Sequence, residues 1–351
     1  MLPERRAVMI TDPRISATIV LYHASPSVLE TVKSIVNSEE QIQLYVVENS
    51  DRPVIQRLKR HFRRKQAEPV QKKSLQPGHS RKPGRLPPQS SPLLRMIENI
   101  DPSTLFCLED QNLGYGRGHN EVIPYLKSTY HMIVNPDITF DSGLVSRMVD
   151  YMDQHPDIVM LSPRVFFPDG TEQHLPHRRP TVRYLLGGPL EHVSERFAAW
   201  RDRQIEKHLR VIDPPDSEDG TQKPKPGFHP FRKIAVGMLS RMDLPFKKWR
   251  DEYTLRNENI SEPIHVEFAT GCFMMIRTHT LYQMKGFDPR YFLYQEDSDI
   301  TLKALNYGHV VYHPDMHVTH AWSRADAKSL RLRLVHVYST LQFFWKWGWK
   351  W

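Results

Sequence analysis

The chain is poor in the features that would mark several classes of protein. It has two cysteines, Cys107 and Cys272, both inside apolar runs. That excludes a disulfide framework and reads as two buried, reduced thiols of a cytosolic protein. No Cys/His spacing suggests a zinc site. The N-terminus, M-L-P-E-R-R-A-V-M-I-T-D-P, lacks the apolar core of a signal peptide. No apolar run approaches the roughly 18 residues that a transmembrane helix needs. The expected location is therefore the compartment of synthesis. Internal repeats and recognised nucleic-acid-binding motifs are also missing, so nucleic acid is not an expected partner.

What is present describes a large globular chain with a basic surface. At 351 residues and 39% hydrophobic content, it can bury a sizeable core. The formal net charge of +8 favours anionic partners: nucleic acid, a phospholipid surface or a diphosphate.

The hydrophobic pattern opens with a β-branched strand at residues 15–22. A helical spacing at 27–38 follows, with Ser27 as the N-cap, and then a second strand at 43–48. Strand, helix, strand over so short a span makes a βαβ unit and hence a parallel sheet. Further strands are expected at 104–108, 130–134, 158–161 and 310–313, and regular structure resumes at 265–277. Helices are expected at 144–154, 191–209, 278–284 and 297–306. Residues 59–92 are rich in Lys, Arg, Pro, Gln and Ser and offer little to bury, so they read as a mobile basic insertion, more a solvated linker than an RNA or lipid contact. Residues 172–262 hold prolines and an acidic, Pro-rich loop at 213–226, and read as an excursion from the sheet. The tail is basic and aromatic, with Trp345, Trp347, Trp349 and Trp351 in alternation.

Two acidic stations carry the chemistry. The first, I-V-N-P-D-I, ends an apolar strand at Asn135, Pro136 and Asp137. The second, F-D-P-R-Y-F-L-Y-Q-E-D-S-D-I, places Glu296, Asp297 and Asp299 after an aromatic segment. In open parallel sheets, ligands gather at the carboxyl ends of strands. A carboxylate there can hold a divalent cation on a diphosphate, and one across a cleft can take a proton from a hydroxyl. Together they point to transfer of an activated group from a nucleotide to an alcohol. Each station also has a plainer reading. N-P-D makes a good turn, and Asp297 is suited to cap a helix. Ahead of both stations lies N-L-G-Y-G-R-G-H-N, whose three glycines either bring backbone N–H groups close to a ligand or simply make a turn. His320 follows a strand-like segment; with 18 histidines in the chain, most serve packing or surface.

In their order along the chain, these motifs resemble the family 2 glycosyltransferases with a GT-A fold, in particular the bacterial rhamnosyltransferase-like branch. The resemblance covers about residues 14–345, excluding 59–92 and most of 172–262. It implies a Rossmann-like, mostly parallel central sheet flanked by helices, with a C-terminal helical and aromatic tail. It further implies one glycosyltransferase domain over 1–345, with 325–351 as a tail positioned for membrane contact. By the same resemblance, Asn49, Asp51, Asn112, Gly114, Gly118, Asn120 and Asn135 bind the nucleotide sugar. Asp137 and His320 hold Mg²⁺ or Mn²⁺, and Asp297, beside Glu296, is the catalytic base. The first aspartate of the family's D-x-D motif is Asn135 here. The implied reaction is an inverting transfer of a sugar from a nucleotide donor, with rhamnose from dTDP-rhamnose preferred, to a hydroxyl of a lipid-linked saccharide. The setting is O-antigen or exopolysaccharide synthesis at the inner face of the cytoplasmic membrane. A UDP-hexose or galactofuranose donor, or an inactive membrane-associated binding protein, are the alternatives. The tail is open to two readings: interfacial tryptophans beside lysines, or a helix packed on the domain.

Overall fold

The computed structural model describes residues 13–50, 82–87, 90–109, 111–212, 230–321 and 330–351. Asp51, the basic run at 59–81 and the acidic loop at 213–226 lie outside the described residues. The described residues cluster into two compact units. The first comprises Met1–Arg179 with Asn259–Gly348, and the second Pro180–Glu258 with Trp349–Trp351.

The first unit is built on a nine-stranded sheet in the order β3-β2-β1-β4-β8-β6-β9-β5, with β7 paired to β9. The strands are β1 Ile15–Leu21, β2 Ile42–Glu48, β3 Leu105–Leu108, β4 Tyr130–Val134, β5 Ile138–Thr139, β6 Ile158–Phe166, β7 Ile264–His265, β8 Phe273–Arg277 and β9 His309–His320. From β3 to β4 the sheet is parallel. Strand β8 then enters antiparallel between β4 and β6. The sheet is therefore mixed: its opening half is the expected parallel one, and the antiparallel β8 ends that pattern.

The reason lies in the side chains. Every residue of β1 is buried, as befits a strand covered on both faces. Alternation then sends Ile15, Ala17, Ile19 and Leu21 into one apolar layer and Val20 into the other. Strand β4 does the same, with Met132 and Val134 on one side and Ile133 on the other. Helix α1 (Val28–Val36) covers the first layer with Val28, Thr31, Val32 and Ile35, one stripe of a 3.6-residue period. Ser27 precedes it without a side-chain cap, because its backbone is already helical at φ −57°. Helix α2 (Pro92–Ile100) starts at Ser91, whose hydroxyl accepts from the Leu94 amide. Helix α4 (Leu144–Gln154) buries Leu144, Val145, Met148, Val149 and Met152 on the same side.

One interior polar cluster is fully matched. Buried His131 lies between the hydroxyls of Ser16, 2.7 Å from Nδ1, and Thr18, 2.9 Å from Nε2. Desolvation pushes its pKa down to about 3, so it is a neutral packing histidine. Of the segment read as an insertion, residues 82–87 are structured: Gly84 bridges Phe106 on β3 and Leu86 is buried. Both cysteines are buried and unpaired, and burial pushes each thiol up to about 12.

The second unit is helical and is held by its own contacts. Helix α5 (Val182–Ile212) packs with α6 (Pro230–Leu239) and α7 (Phe246–Tyr253). Arg250 of α7 pairs with Glu191 of α5. The Tyr184 and Tyr253 rings stack at 5.6 Å, and the Ser194 hydroxyl donates to the Leu244 carbonyl at 3.2 Å. Among the described residues, no helix is long and apolar enough to cross a membrane.

Candidate active site

Strands β1, β2 and β4 run in one direction, so their carboxyl ends share one edge of the sheet. At the end of β4 the Asn135 amide donates to the Cys272 carbonyl at 2.9 Å, and the Thr31 hydroxyl donates to the Pro136 carbonyl at 2.9 Å. The chain then turns into β5, which pairs antiparallel with the end of β9. Ile138 is the register partner of His320, and the Ala321 amide donates to the Asp137 carbonyl at 3.0 Å. This pairing sets the two side chains together: His320 Nε2 lies 3.3 Å from Asp137 Oδ1. Asn135 Nδ2 is 3.5 Å from the same ring nitrogen. His320 is nearly covered, whereas Asp137 is about a quarter exposed, 8% against 26%. On its other side, His320 Nδ1 is 3.0 Å from Gln173 Oε1.

An oxygen and an imidazole nitrogen at this spacing fit a divalent cation. Among the described residues no group of three or more His, Cys, Asp or Glu could hold a metal. Two protein donors that leave room for phosphate oxygens and water are the usual arrangement for Mg²⁺ on a diphosphate.

The second station is the first turn of α9 (Glu296–Ala304). The chain enters through Tyr294 and Gln295 in left-handed conformations, φ 69° and 66°. Asp297 Oδ1 accepts from the Ser298 amide at 2.8 Å, and Oδ2 from the Gly271 amide at 3.3 Å. Asp297 as a whole residue is only partly buried. Glu296 is buried, and its Oε2 has no hydrogen-bond partner among the described residues. Desolvation raises the pKa of both, and the neighbouring Asp297 charge raises that of Glu296 further. Gly271 precedes Cys272, whose carbonyl holds Asn135, so one dipeptide ties the two stations together. The charges of Asp137 and Asp297 both bear on Tyr115, whose hydroxyl donates to the Gly271 carbonyl.

Asp299 leaves this group. It is fully buried and accepts from Lys346 Nζ at 2.6 Å and Trp347 Nε1 at 2.8 Å. Lys346 also reaches Asp288 at 2.7 Å. These contacts anchor helix α10 (Leu330–Trp347). Of the four tail tryptophans, Trp347 is thus held by Asp299, while Trp345, Trp349 and Trp351 are exposed.

The nucleotide-site residues expected from the glycine-rich stretch are largely engaged with one another. Residues Tyr115–Asn120 form the short helix α3, not an open loop. Gly114 takes φ +89°, and a Cβ there would lie 2.1 Å from the Phe292 carbonyl oxygen. A Cβ on Gly116 would meet Phe287 at 2.8 Å, and one on Gly118 would meet Val20 at 2.8 Å. These glycines therefore permit close packing. Asn120 exchanges two hydrogen bonds with the Phe287 peptide, each 2.8 Å. Buried Asn49 gives its amide to Asn112 Oδ1 and the Gly114 carbonyl, and accepts from the Leu113 amide. Asn49, Asn112, Gly114, Gly118 and Asn120 thus brace the wall beside the strand ends. Asn135 alone of the described set stands beside the Asp137–His320 pair.

Sequence reasoning missed Gln173, Tyr115 as a brace, and Gly271. Gln173 fell in the stretch set aside as an excursion, and no spacing connects it with His320. Its position follows from a hairpin after β6: Gly170 turns the chain at φ +83°, and the Gln173 amide donates to the Val165 carbonyl at 2.9 Å.

The mixed sheet flanked by helices, with acidic groups at the strand ends, is the architecture of the GT-A fold. Residues 89–213 match the family described as Glycosyl transferase family 2. A search of curated proteins finds no significant match. Among solved structures, GalNAc-T7 with UDP, GalNAc and Mn²⁺ aligns at 10% identity and TM-score 0.50, over 95% of this chain and 48% of that one. The mannosyltransferase PcManGT from Pyrobaculum calidifontis, in complex with GDP-Man and Mn²⁺, aligns at 11% identity and TM-score 0.48, over 97% and 66%. S. aureus TarS 1–349 aligns at 10% identity and TM-score 0.41, over 88% and 60%. This chain spans about half to two thirds of the length of these structures.

Proposed function

We propose that the chain transfers a sugar from a nucleotide donor to an acceptor hydroxyl with inversion at the anomeric carbon. Asp297 is the general base: it accepts the hydroxyl proton as that oxygen attacks, and the donor's diphosphate departs with the bonding electrons of the C–O bond. The observation that carries this reading is Asp297, a partly exposed residue whose carboxylate is held by the Gly271 and Ser298 amides beside the strand ends. Two amide donors fix its direction, and desolvation raises its basicity, both useful for proton abstraction. Asp137 and His320 would hold Mg²⁺ or Mn²⁺, which when bound offsets the charge of the departing diphosphate. Asn135 and Asp51 complete the donor side of the reading.

The donor is taken to be dTDP-rhamnose and the acceptor a lipid-linked saccharide of a cell-surface polysaccharide. The sugar rests on the resemblance in motif order. The lipid setting draws support from α10, where Leu330, Leu334, Val337, Tyr338 and Trp345 are exposed at helical spacings beside Arg331 and Arg333. Apolar side chains with flanking arginines suit the surface of an anionic membrane.

The test is a panel of nucleotide sugars offered with a lipid-pyrophosphate saccharide, reading nucleotide release with and without Mn²⁺. Turnover with dTDP-rhamnose that is lost in Asp297→Asn is the expected result. Turnover only with a UDP-hexose or UDP-galactofuranose keeps the mechanism and replaces the donor. Binding without turnover across the panel rejects the enzymatic reading in favour of a binding protein.

A further inference from the structure

The side of His320 turned away from Asp137 meets the side chain of Gln173. Gln173 Nε2 donates to two backbone carbonyls, that of His320 at 2.8 Å and that of Phe166 at 3.3 Å. Both acceptors require the amide NH₂ at that end, so the other end of the amide must be its oxygen. That oxygen is 3.0 Å from His320 Nδ1. An amide oxygen only accepts, so Nδ1 must carry a proton. In the neutral ring the lone pair then lies on Nε2, the nitrogen facing Asp137 Oδ1 at 3.3 Å. Gln173 is itself fixed by the backbone of the hairpin after β6, where its amide donates to Val165.

We infer that Gln173 is a positioning residue for the cation site: it selects the Nδ1–H tautomer of His320 and thereby presents Nε2, as a lone pair, to a divalent cation shared with Asp137. The inference rests on the metal reading above. A metal-bound imidazole commonly donates its other N–H to a carboxylate or carbonyl oxygen, which sets the ring's orientation and raises its basicity. Here the oxygen belongs to a side-chain amide locked by two carbonyls, so the site is preorganised by residues of β6, the following hairpin and β9. Asparagine at 173 would be one methylene short and could not reach both carbonyls and the ring. Glutamate would keep an acceptor oxygen at Nδ1 but lose the donation to the carbonyls.

The tautomer is read in the metal-free protein by nitrogen-15 NMR of labelled histidine, with His320 assigned from His320→Ala. The expected wild-type signal is the Nδ1–H form. Gln173→Met, nearly isosteric but without an acceptor, should abolish that preference, and Gln173→Glu should retain it. Mn²⁺ alone, titrated by water-proton relaxation, should bind about 10- to 100-fold more weakly to Gln173→Met, with most of the loss recovered in Gln173→Glu. An Nε2–H tautomer in the wild type overturns the inference without any variant. So does wild-type Mn²⁺ affinity in a folded Gln173→Met when His320→Ala binds weakly. If His320→Ala itself binds Mn²⁺ as the wild type does, it is the metal reading that has failed.

Discussion

The two acidic stations are built in opposite ways. Glu296, Asp297 and Asp299 come from one helical turn, yet the fold gives them three environments: a buried residue, a partly exposed one whose carboxylate is held by amides, and a fully buried one paired with Lys346. Asp137 and His320 are 183 residues apart in the chain (320 − 137) and share one environment, because β5 pairs with the end of β9. Nearness in sequence therefore does not make a common site, and distance does not prevent one. Burial and the partners already engaged decide which carboxylate remains for chemistry.

The comparison is best broken at Asp297. Asn at this position keeps the shape but cannot take a proton, so Asp297→Asn should lower turnover about 10²- to 10⁴-fold while nucleotide-sugar binding persists. A purified variant that keeps more than roughly a tenth of wild-type turnover removes Asp297 as the base.

Asp299 should respond in stability instead. Lys346→Met leaves its carboxylate buried without its cation, a change that commonly costs about 3–5 kcal/mol. Denaturant unfolding checks this. A small stability loss with a large fall in turnover would place Asp299 among the chemical groups after all.

At the other station, Asp137→Ala and His320→Ala should each raise the Mn²⁺ concentration for half-maximal rate by about tenfold or more, the scale on which even supporting residues act at such sites. Unchanged titration curves for both would separate the pair from any cation.

The raised pKa values of Glu296 and Asp297 set the direction of the pH response. The base works as a carboxylate, so turnover should rise with pH along a limb lying above the ordinary aspartate range. Stability should move oppositely: both groups bind protons more tightly when folded, so the folded state loses stability as pH rises through their raised values. A rate limb at the ordinary aspartate value would mean that Asp297 is not desolvated.

The smallest effect concerns the tail. Replacing Trp345, Trp349 and Trp351 by Ser should reduce sedimentation with anionic liposomes and lower activity on a lipid-linked acceptor more than on a soluble analogue. Trp347→Phe, losing the bond to Asp299, should affect stability and not sedimentation. The reverse pattern would assign the exposed rings to packing.

Local periodicity was enough to read the elements whose burial follows a simple pattern. Strand Tyr130–Val134 and helix Leu144–Gln154 carry the bounds expected from sequence, because one is apolar throughout and the other has a clean apolar stripe. The order of motifs was enough to point to the family whose model matches residues 89–213. Local pattern could not show that N-L-G-Y-G-R-G-H-N folds as a short helix whose glycines admit Phe292, Phe287 and Val20, since those contacts come from distant segments. Nor could it extend β9 to His320, because that length comes from pairing with β6 and, at His320, with β5. The roles of Asp299, Asn120 and Gln173 were decided only by tertiary structure. A carboxylate or an amide acquires its role from the partners that the fold brings to it, and these partners lie 47, 167 and 147 residues away, at Lys346, Phe287 and His320.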